Sequence, residues 1–147
     1  MPSKYTLPED HPYAAGRHCS RCGDFKTADN YVLEGDVRAF KGVAMRSVCR
    51  PCDEFRKWKA DLVRRYGITF EQYELMLAEQ NGECAVCGTD DAGSSRTSGR
   101  LFVDHCHTSG KVRGLLCSRC NHALGLFQDD IDRLRSAIEY LTRNLNV

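Results

Sequence analysis

Residues 103–107 read "VDHCH", an acid and two imidazoles within four positions of one another. A neutral imidazole, with an unperturbed pKa of about 6.5, can take a proton from water near working pH. The Asp104 carboxylate is a hard oxygen donor, and the side-chain carbonyl of Asn121 is another; such donors suit Mg²⁺ or Mn²⁺ rather than zinc. A base to make hydroxide and a cation beside a phosphate are the minimum equipment for phosphodiester hydrolysis. His105 is the first candidate for the base, with His107 beside it.

The cysteines carry a second kind of chemistry. Eight of the nine fall into C-x2-C pairs: Cys19 and Cys22, Cys49 and Cys52, Cys84 and Cys87, Cys117 and Cys120. Cys106 stands alone. A C-x2-C knuckle turns the backbone so that two thiolates converge on one cation, and two knuckles complete a tetrahedral zinc site. Pairing them in chain order gives two structural zinc sites and divides the chain near residue 60; pairing the first with the third and the second with the fourth is the alternative. The opening "MPSKYTLPEDHPYAAG" has no apolar core of a signal peptide. No window reaches the roughly 18 consecutive apolar residues that would span a bilayer. The expectation is therefore a cytoplasmic protein with no membrane partner, in a reducing compartment where paired cysteines bind metal rather than form disulfides.

These residues need elements to hold them. "RLFVDHC" and "KVRGLLC" read as two short strands joined by the turn "HTSG", and "SRCNHALGLF" reads as a helix. The fourth knuckle lies where the second strand meets that helix, so zinc there would hold Asn121 near Asp104, His105 and His107. Upstream, residues 53–66 place Phe55, Trp58, Leu62 and Tyr66 at helical spacing among Arg and Lys, and Gly67 ends the helix. Thr69 and Gln72 form a capping box for a second helix. Near the end, Asp129 or Asp130 can cap a helix whose Ile131, Leu134, Ile138, Leu141 and Leu145 form an apolar stripe, read as core packing with a self-association surface as the alternative. The expected fold class is α+β: a small zinc-stabilised module over 1–60 with a basic linker helix starting near 53, then a ββα domain over 61–147 with flanking helices. Each half is too small for a large apolar core, and structural zinc contributes ~10–16 kcal/mol of apparent folding free energy.

With 147 residues, 41% hydrophobic content and a net charge of +1, the chain reads as globular and has no global attraction for a polyanion. Locally the balance differs. From Arg96 to Arg119 five basic residues face one acid, and Arg100, Lys111, Arg113 and Arg119 are the candidate DNA contacts.

The segment "YGITFEQYELMLAEQNGECAVCG" together with "LFVDHCHTSGKVRGLLCSRCNHALGLF" resembles the recombination endonuclease VII family, zinc-stabilised members of the HNH, or ββα-metal, nucleases. The resemblance covers roughly 66–145. It implies zinc on Cys84, Cys87, Cys117 and Cys120, catalytic Mg²⁺ on Asp104 and Asn121, His105 as general base, and His107 at the scissile phosphate. It further implies a phage-type endonuclease acting in DNA recombination, on duplex or branched DNA such as a Holliday junction. Two departures stand out. Leu124 occupies a position where some members carry an acid, and the dimer-forming region is reduced to one helix, so a monomer suits nicking while a homodimer suits paired cuts. Residues 1–60, with Cys19, Cys22, Cys49 and Cys52 on a second zinc, resemble zinc ribbons that serve DNA binding, a protein partner or stability alone. The competing function is a non-catalytic double zinc module that binds DNA or protein; a C-x2-C redox protein is a third, disfavoured by the lack of a βαβ pattern.

Overall fold

The computed structural model describes residues 5–35, 40–93 and 99–144. Arg96 and the middle of the Gly/Ser-rich loop, and Leu145 of the expected apolar stripe, lie outside them. The chain forms two compact units, one ending at Asp61 and one beginning at Leu62. Among the described residues no helix is long and apolar enough to cross a membrane.

The first unit is built from two small hairpins and a helix. Strands β1 (Arg17–His18) and β2 (Phe25–Lys26) pair antiparallel, as do β3 (Leu33–Gly35) and β4 (Val43–Met45), and α1 spans Arg50–Asp61. Its core is Cys19, Tyr31, Met45 and Cys49, with Leu7, Leu33 and Val48 packed against it. Tyr31 is fully buried, and its hydroxyl donates to the Arg17 carbonyl at 2.7 Å, so the one polar atom carried into this core is satisfied. A core this small leaves much of the stabilisation to whatever ties the four cysteines together.

In the second unit a wide π-type turn, Leu62–Tyr66, ends at Gly67, whose φ of +68° is a left-handed conformation that glycine adopts without steric cost. Helix α2 (Phe70–Glu79) starts with the capping box read from the sequence: the Gln72 amide N–H donates to Thr69 Oγ1, and the Gln72 side chain accepts from the Thr69 N–H. Strands β5 (Phe102–His105) and β6 (Val112–Leu116) form an antiparallel hairpin, followed by α3 (Ser118–Leu126) and α4 (Ile131–Asn144). The buried face consists of Leu62, Tyr73, Leu101, Val103, Leu115 and Leu116. Gln80, just past α2, lies against the hairpin: its amide donates to the Leu115 carbonyl at 2.9 Å and accepts from the Leu115 N–H at 2.9 Å. That reciprocal pair imitates a neighbouring strand and fixes α2 to β6.

Helix α4 departs from the sequence reading. Ile131, Ile138 and Leu141 are 63%, 64% and 62% exposed, so the stripe is not core packing. Leu134, in the first turns of α4, is half-buried and lines a pocket with Arg113, Gly114 and Leu116 of the hairpin.

Candidate active site

The frame of the site is a tetrad of thiols. Cys84, Cys87, Cys117 and Cys120 bring their sulfurs within 4.8 Å of one another. The Cys87 and Cys117 sulfurs are 3.8 Å apart, which matches the edge of a tetrahedron with Zn–S bonds of ~2.3 Å. Local backbone builds each half. The Gly88 N–H donates to the Cys84 carbonyl at 2.9 Å to close the first knuckle; Cys117 caps α3, and the Asn121 N–H donates to its carbonyl at 3.0 Å. Burial pushes the Cys84 thiol up, but backbone N–H groups of Cys117, Cys87 and Val86 outweigh it and hold the thiol at about 6. Burial pushes Cys120 well up. Four sulfurs this close do not all ionise unless a cation sits among them, and a set of four thiolates is a donor set suited to zinc.

Cys19, Cys22, Cys49 and Cys52 of the first unit meet the same geometric test. The Cys49 N–H donates to Cys19 Sγ at 3.3 Å and the Arg21 N–H at 3.4 Å. The N–H groups of Cys49 and Cys22 bring Cys19 down to about 6, while burial pushes Cys52 up to about 12. Cys106 belongs to neither tetrad. It lies in the turn after β5, where its N–H donates to the Lys111 carbonyl and its sulfur accepts from the Ser109 N–H.

In the second unit a cleft of about 270 Å³ is lined by Asp104, His105, His107, Asp129, Tyr66 and Asn121, the residue that follows Cys120 of the second tetrad. Neighbouring strand residues ordinarily face opposite ways, yet Asp104 and His105 both reach this cleft. The ladder also shifts at this point: Asp104 pairs with Gly114 but His105 pairs with Val112, which leaves Arg113 as the extra residue of a bulge in β6. Arg113 then meets Asp104 edge-on, Nε donating to Oδ2 at 2.6 Å and Nη2 to Oδ1 at 2.8 Å. Arg113 Nη2 also lies 3.2 Å from Asp129 Oδ2. The Asp104 carboxylate holds the Arg113 pKa above its ordinary range against the opposing effect of burial, and Asp129 adds to it. Each Asp104 oxygen keeps a second lone pair, so a bidentate arginine does not exhaust its capacity as a ligand.

His105 sits with the Tyr66 ring edge-on at 5.3 Å on one side and the His107 ring edge-on at 5.0 Å on the other. Arg65 lies over the Tyr66 ring, 5.4 Å from its centroid, and also lines the cleft. Asn121 is half-buried, whereas His107 and His122 are exposed. The cations read as DNA contacts separate into two sets. Lys111 is exposed, Arg119 is exposed with Asp91 Oδ2 3.9 Å away, and Arg100 is half-buried; Arg113 is committed to two carboxylates in the cleft, which removes it from the cations open to a phosphate. The two remaining histidines, in the first unit, are tied to local backbone: His11 Nδ1 accepts from the Tyr13 N–H, and His18 Nδ1 lies 2.9 Å from the Gly23 carbonyl.

Sequence reasoning did not place Tyr66, Arg65 or Asp129 at the cleft. Tyr66 and Arg65 read as parts of a basic linker helix, and Asp129 as a helix cap. The signal that was present is the doubled acid before α4, where a cap needs only one.

The chain is similar to known proteins in sequence and, weakly, in structure. The sequence pattern of the family described as recombination endonuclease VII matches residues 59–143. The Gene 59 protein of Mycobacterium phage D29 is 42% identical over 87 residues, covering 58% of this chain and 50% of that protein. The Gene 59 protein of Mycobacterium phage L5 is 40% identical over 85 residues, covering 57% and 49%. The chain thus spans about half the length of the curated relatives it matches. Among solved structures, the ββα-Me type II restriction endonuclease Hpy99I is similar at 23% identity and a TM-score of 0.35, over 90% of this chain and 68% of its own.

Proposed function

The chain belongs to the recombination endonuclease VII family, and from that premise we propose that it is a metal-dependent DNA endonuclease that hydrolyses phosphodiester bonds with the cleft of its second unit. The observation that carries this reading is the lining of one cleft by Asp104, His105 and Asn121 beside a four-cysteine tetrad. Asp104 and Asn121 are the residues that would hold Mg²⁺ or Mn²⁺; both offer hard oxygen donors, which fits such an ion and not a thiolate-loving one. Bound there, the ion would stabilise charge on the scissile phosphate and the leaving oxygen.

The chain's own residues do the rest. His105 accepts the proton of the attacking water on a ring nitrogen, and its orientation is kept by the Tyr66 and His107 rings packed against it. His107 stands at the mouth of the cleft, 69% exposed, where it can donate to a phosphate oxygen. Arg65, Lys111, Arg100 and Arg119 draw the DNA backbone to the cleft. Zinc on Cys84, Cys87, Cys117 and Cys120 fixes the start of α3 and therefore Asn121; zinc on Cys19, Cys22, Cys49 and Cys52 holds the first unit, which serves as a DNA or protein contact. The exposed apolar residues of α4 favour a second copy of the chain as partner, and two copies would make paired cuts at a branch where one would make nicks.

The test is incubation of the zinc-loaded protein with supercoiled, linear and four-way-junction DNA, in Mg²⁺ and in EDTA. Wild type should cut at least one substrate only with Mg²⁺, and His105→Ala should cut roughly 10²–10⁴-fold more slowly with an unchanged fold. Cutting that persists in EDTA, or at full rate in His105→Ala, would contradict the proposal.

A further inference from the structure

Asp129 and Asp130 both precede α4, and the structure gives them different work. Asp130 is the cap: its Oδ1 accepts the N–H groups of Asp132 at 2.9 Å and Arg133 at 3.1 Å. Asp129 turns into the cleft instead, with Oδ2 3.2 Å from Arg113 Nη2 and 3.7 Å from His107 Nδ1. Its carboxylate is only 20% exposed.

The backbone that aims it is costly. Gln128 and Asp129 have φ of +59° and +55°, two consecutive side-chain-bearing residues in the left-handed region. The end of α3 enforces the turn, because the Asp129 N–H donates to the Leu124 carbonyl and the Gln128 N–H to the Gly125 carbonyl, each at 3.0 Å. Unfavourable backbone held in place by surrounding bonds is found where a side chain must be placed for function.

We propose that Asp129 is a positioning residue of the active site, its carboxylate fixing His107 directly and Asp104 through Arg113. This deepens the nuclease reading and rests on it. Arg113 gives Nε and Nη2 to Asp104 and shares Nη2 with Asp129, so the guanidinium is anchored by both acids and the Asp104 carboxylate is held in one rotation. An imidazole as exposed as His107 needs an anchor to keep one orientation, and Asp129 supplies a negative partner on its Nδ1 side. An acid beside a DNA-cutting cleft repels phosphate, so on charge alone Asp129 would weaken binding; its value has to lie in the geometry it imposes.

That opposition makes the role measurable. Asp129→Asn keeps the shape of the side chain and its tolerance of left-handed backbone while removing the charge. In the zinc-loaded protein with Mg²⁺, it should lower kcat by about 10–100-fold through loss of alignment, with KM for DNA unchanged or lower because a repulsive charge has gone. The ¹H–¹⁵N signals of the His107 ring, recorded at one pH without DNA, should move, while those of His18 in the first unit stay. Asp130→Ala, which removes the cap and the pairing of Asp130 with Arg133, should lower Tm and retain wild-type kcat. If Asp129→Asn fails to fold, Asp129→Glu carries the test: a reduced kcat with displaced His107 signals supports the proposal, and wild-type values for both overturn it. A wild type that cuts DNA together with an Asp129→Asn variant of equal kcat, a loss confined to KM, or an unmoved His107 signal overturns this proposal alone. A wild type that cuts no DNA overturns the nuclease reading and takes this role with it.

Discussion

The two units solve the same structural problem with the same parts. In each, a C-x2-C knuckle is closed by the glycine that follows it, Gly23 donating to the Cys19 carbonyl and Gly88 to that of Cys84, both at 2.9 Å. In each, an antiparallel hairpin follows and a second knuckle opens a helix, α1 or α3. The residue after the last cysteine donates its N–H to the carbonyl of the third, Asp53 to Cys49 and Asn121 to Cys117, both at 3.0 Å. What differs is what surrounds that residue. Asp53 is closed in by Lys57 and Arg56 at 2.7 Å each, and first Lys57, then Arg56, holds its carboxyl at about 2. Asn121 opens on a cleft with two acids, Asp104 and Asp129, and two imidazoles. A four-cysteine ββα frame is therefore a scaffold for placing one side chain, and the hairpin beside it supplies different surroundings in the two units. In the first unit β3 offers Leu33, Glu34 and Gly35; in the second, β5 offers Asp104 and His105.

The largest effect that can break this comparison comes from the tetrads themselves. Cys117→Ser and Cys49→Ser should each lower bound zinc from two to one per chain by elemental analysis, because each removes a ligand from a site worth ~10–16 kcal/mol of apparent folding free energy. Only Cys117→Ser is expected to abolish cleavage; equal loss of cutting in both would make the first unit a full part of the active centre. A smaller effect tests the seat of the hairpin. Gln80→Ala leaves both backbone groups of Leu115 without their side-chain partner and should destabilise the second unit by about 1–3 kcal/mol in a denaturant titration, and an unchanged midpoint would show that the pairing does not hold β6. Asp53→Asn gives the first unit the amide that the second uses, and should leave the cleavage rate unchanged, since nothing else of the site is present there. A gain or loss of rate would blur the distinction between the units. The smallest effect concerns the thiol outside both tetrads. The Ser109 hydroxyl, then the Ser109 and Thr108 N–H groups, draw Cys106 down to about 7. With both zinc sites loaded, iodoacetamide should modify Cys106 alone, at a rate that rises with pH through about 7 as the thiolate forms; mass spectrometry finding a tetrad cysteine modified first would contradict the assignment of those eight to metal.

Much of the frame was legible because it is local. Four C-x2-C pairs leave few ways to combine, the Thr69 and Gln72 capping box is fixed by three-residue spacing, and the strand–turn–strand–helix order follows from alternation and a turn. What could not be read is what depends on distance or on a fault in regularity. Arg113 looks like a free cation in sequence; only the extra residue in β6 turns it onto Asp104. Tyr66 lies 39 positions before His105 in sequence and meets it through the fold. The apolar spacing of α4 is real, but periodicity reports that a helix has an apolar face without telling what covers it, and here Ile131, Ile138 and Leu141 are left exposed.

The most direct measurement is Mn²⁺ binding to the zinc-loaded full chain, followed by electron paramagnetic resonance without DNA. Wild type and Asp53→Asn should each bind one Mn²⁺ in addition to two zinc ions, and Asp104→Ala and Asn121→Ala should bind none at the same concentration. Equal Mn²⁺ uptake by all four proteins would contradict the claim that the second unit alone adds a hard-cation site to a shared zinc scaffold.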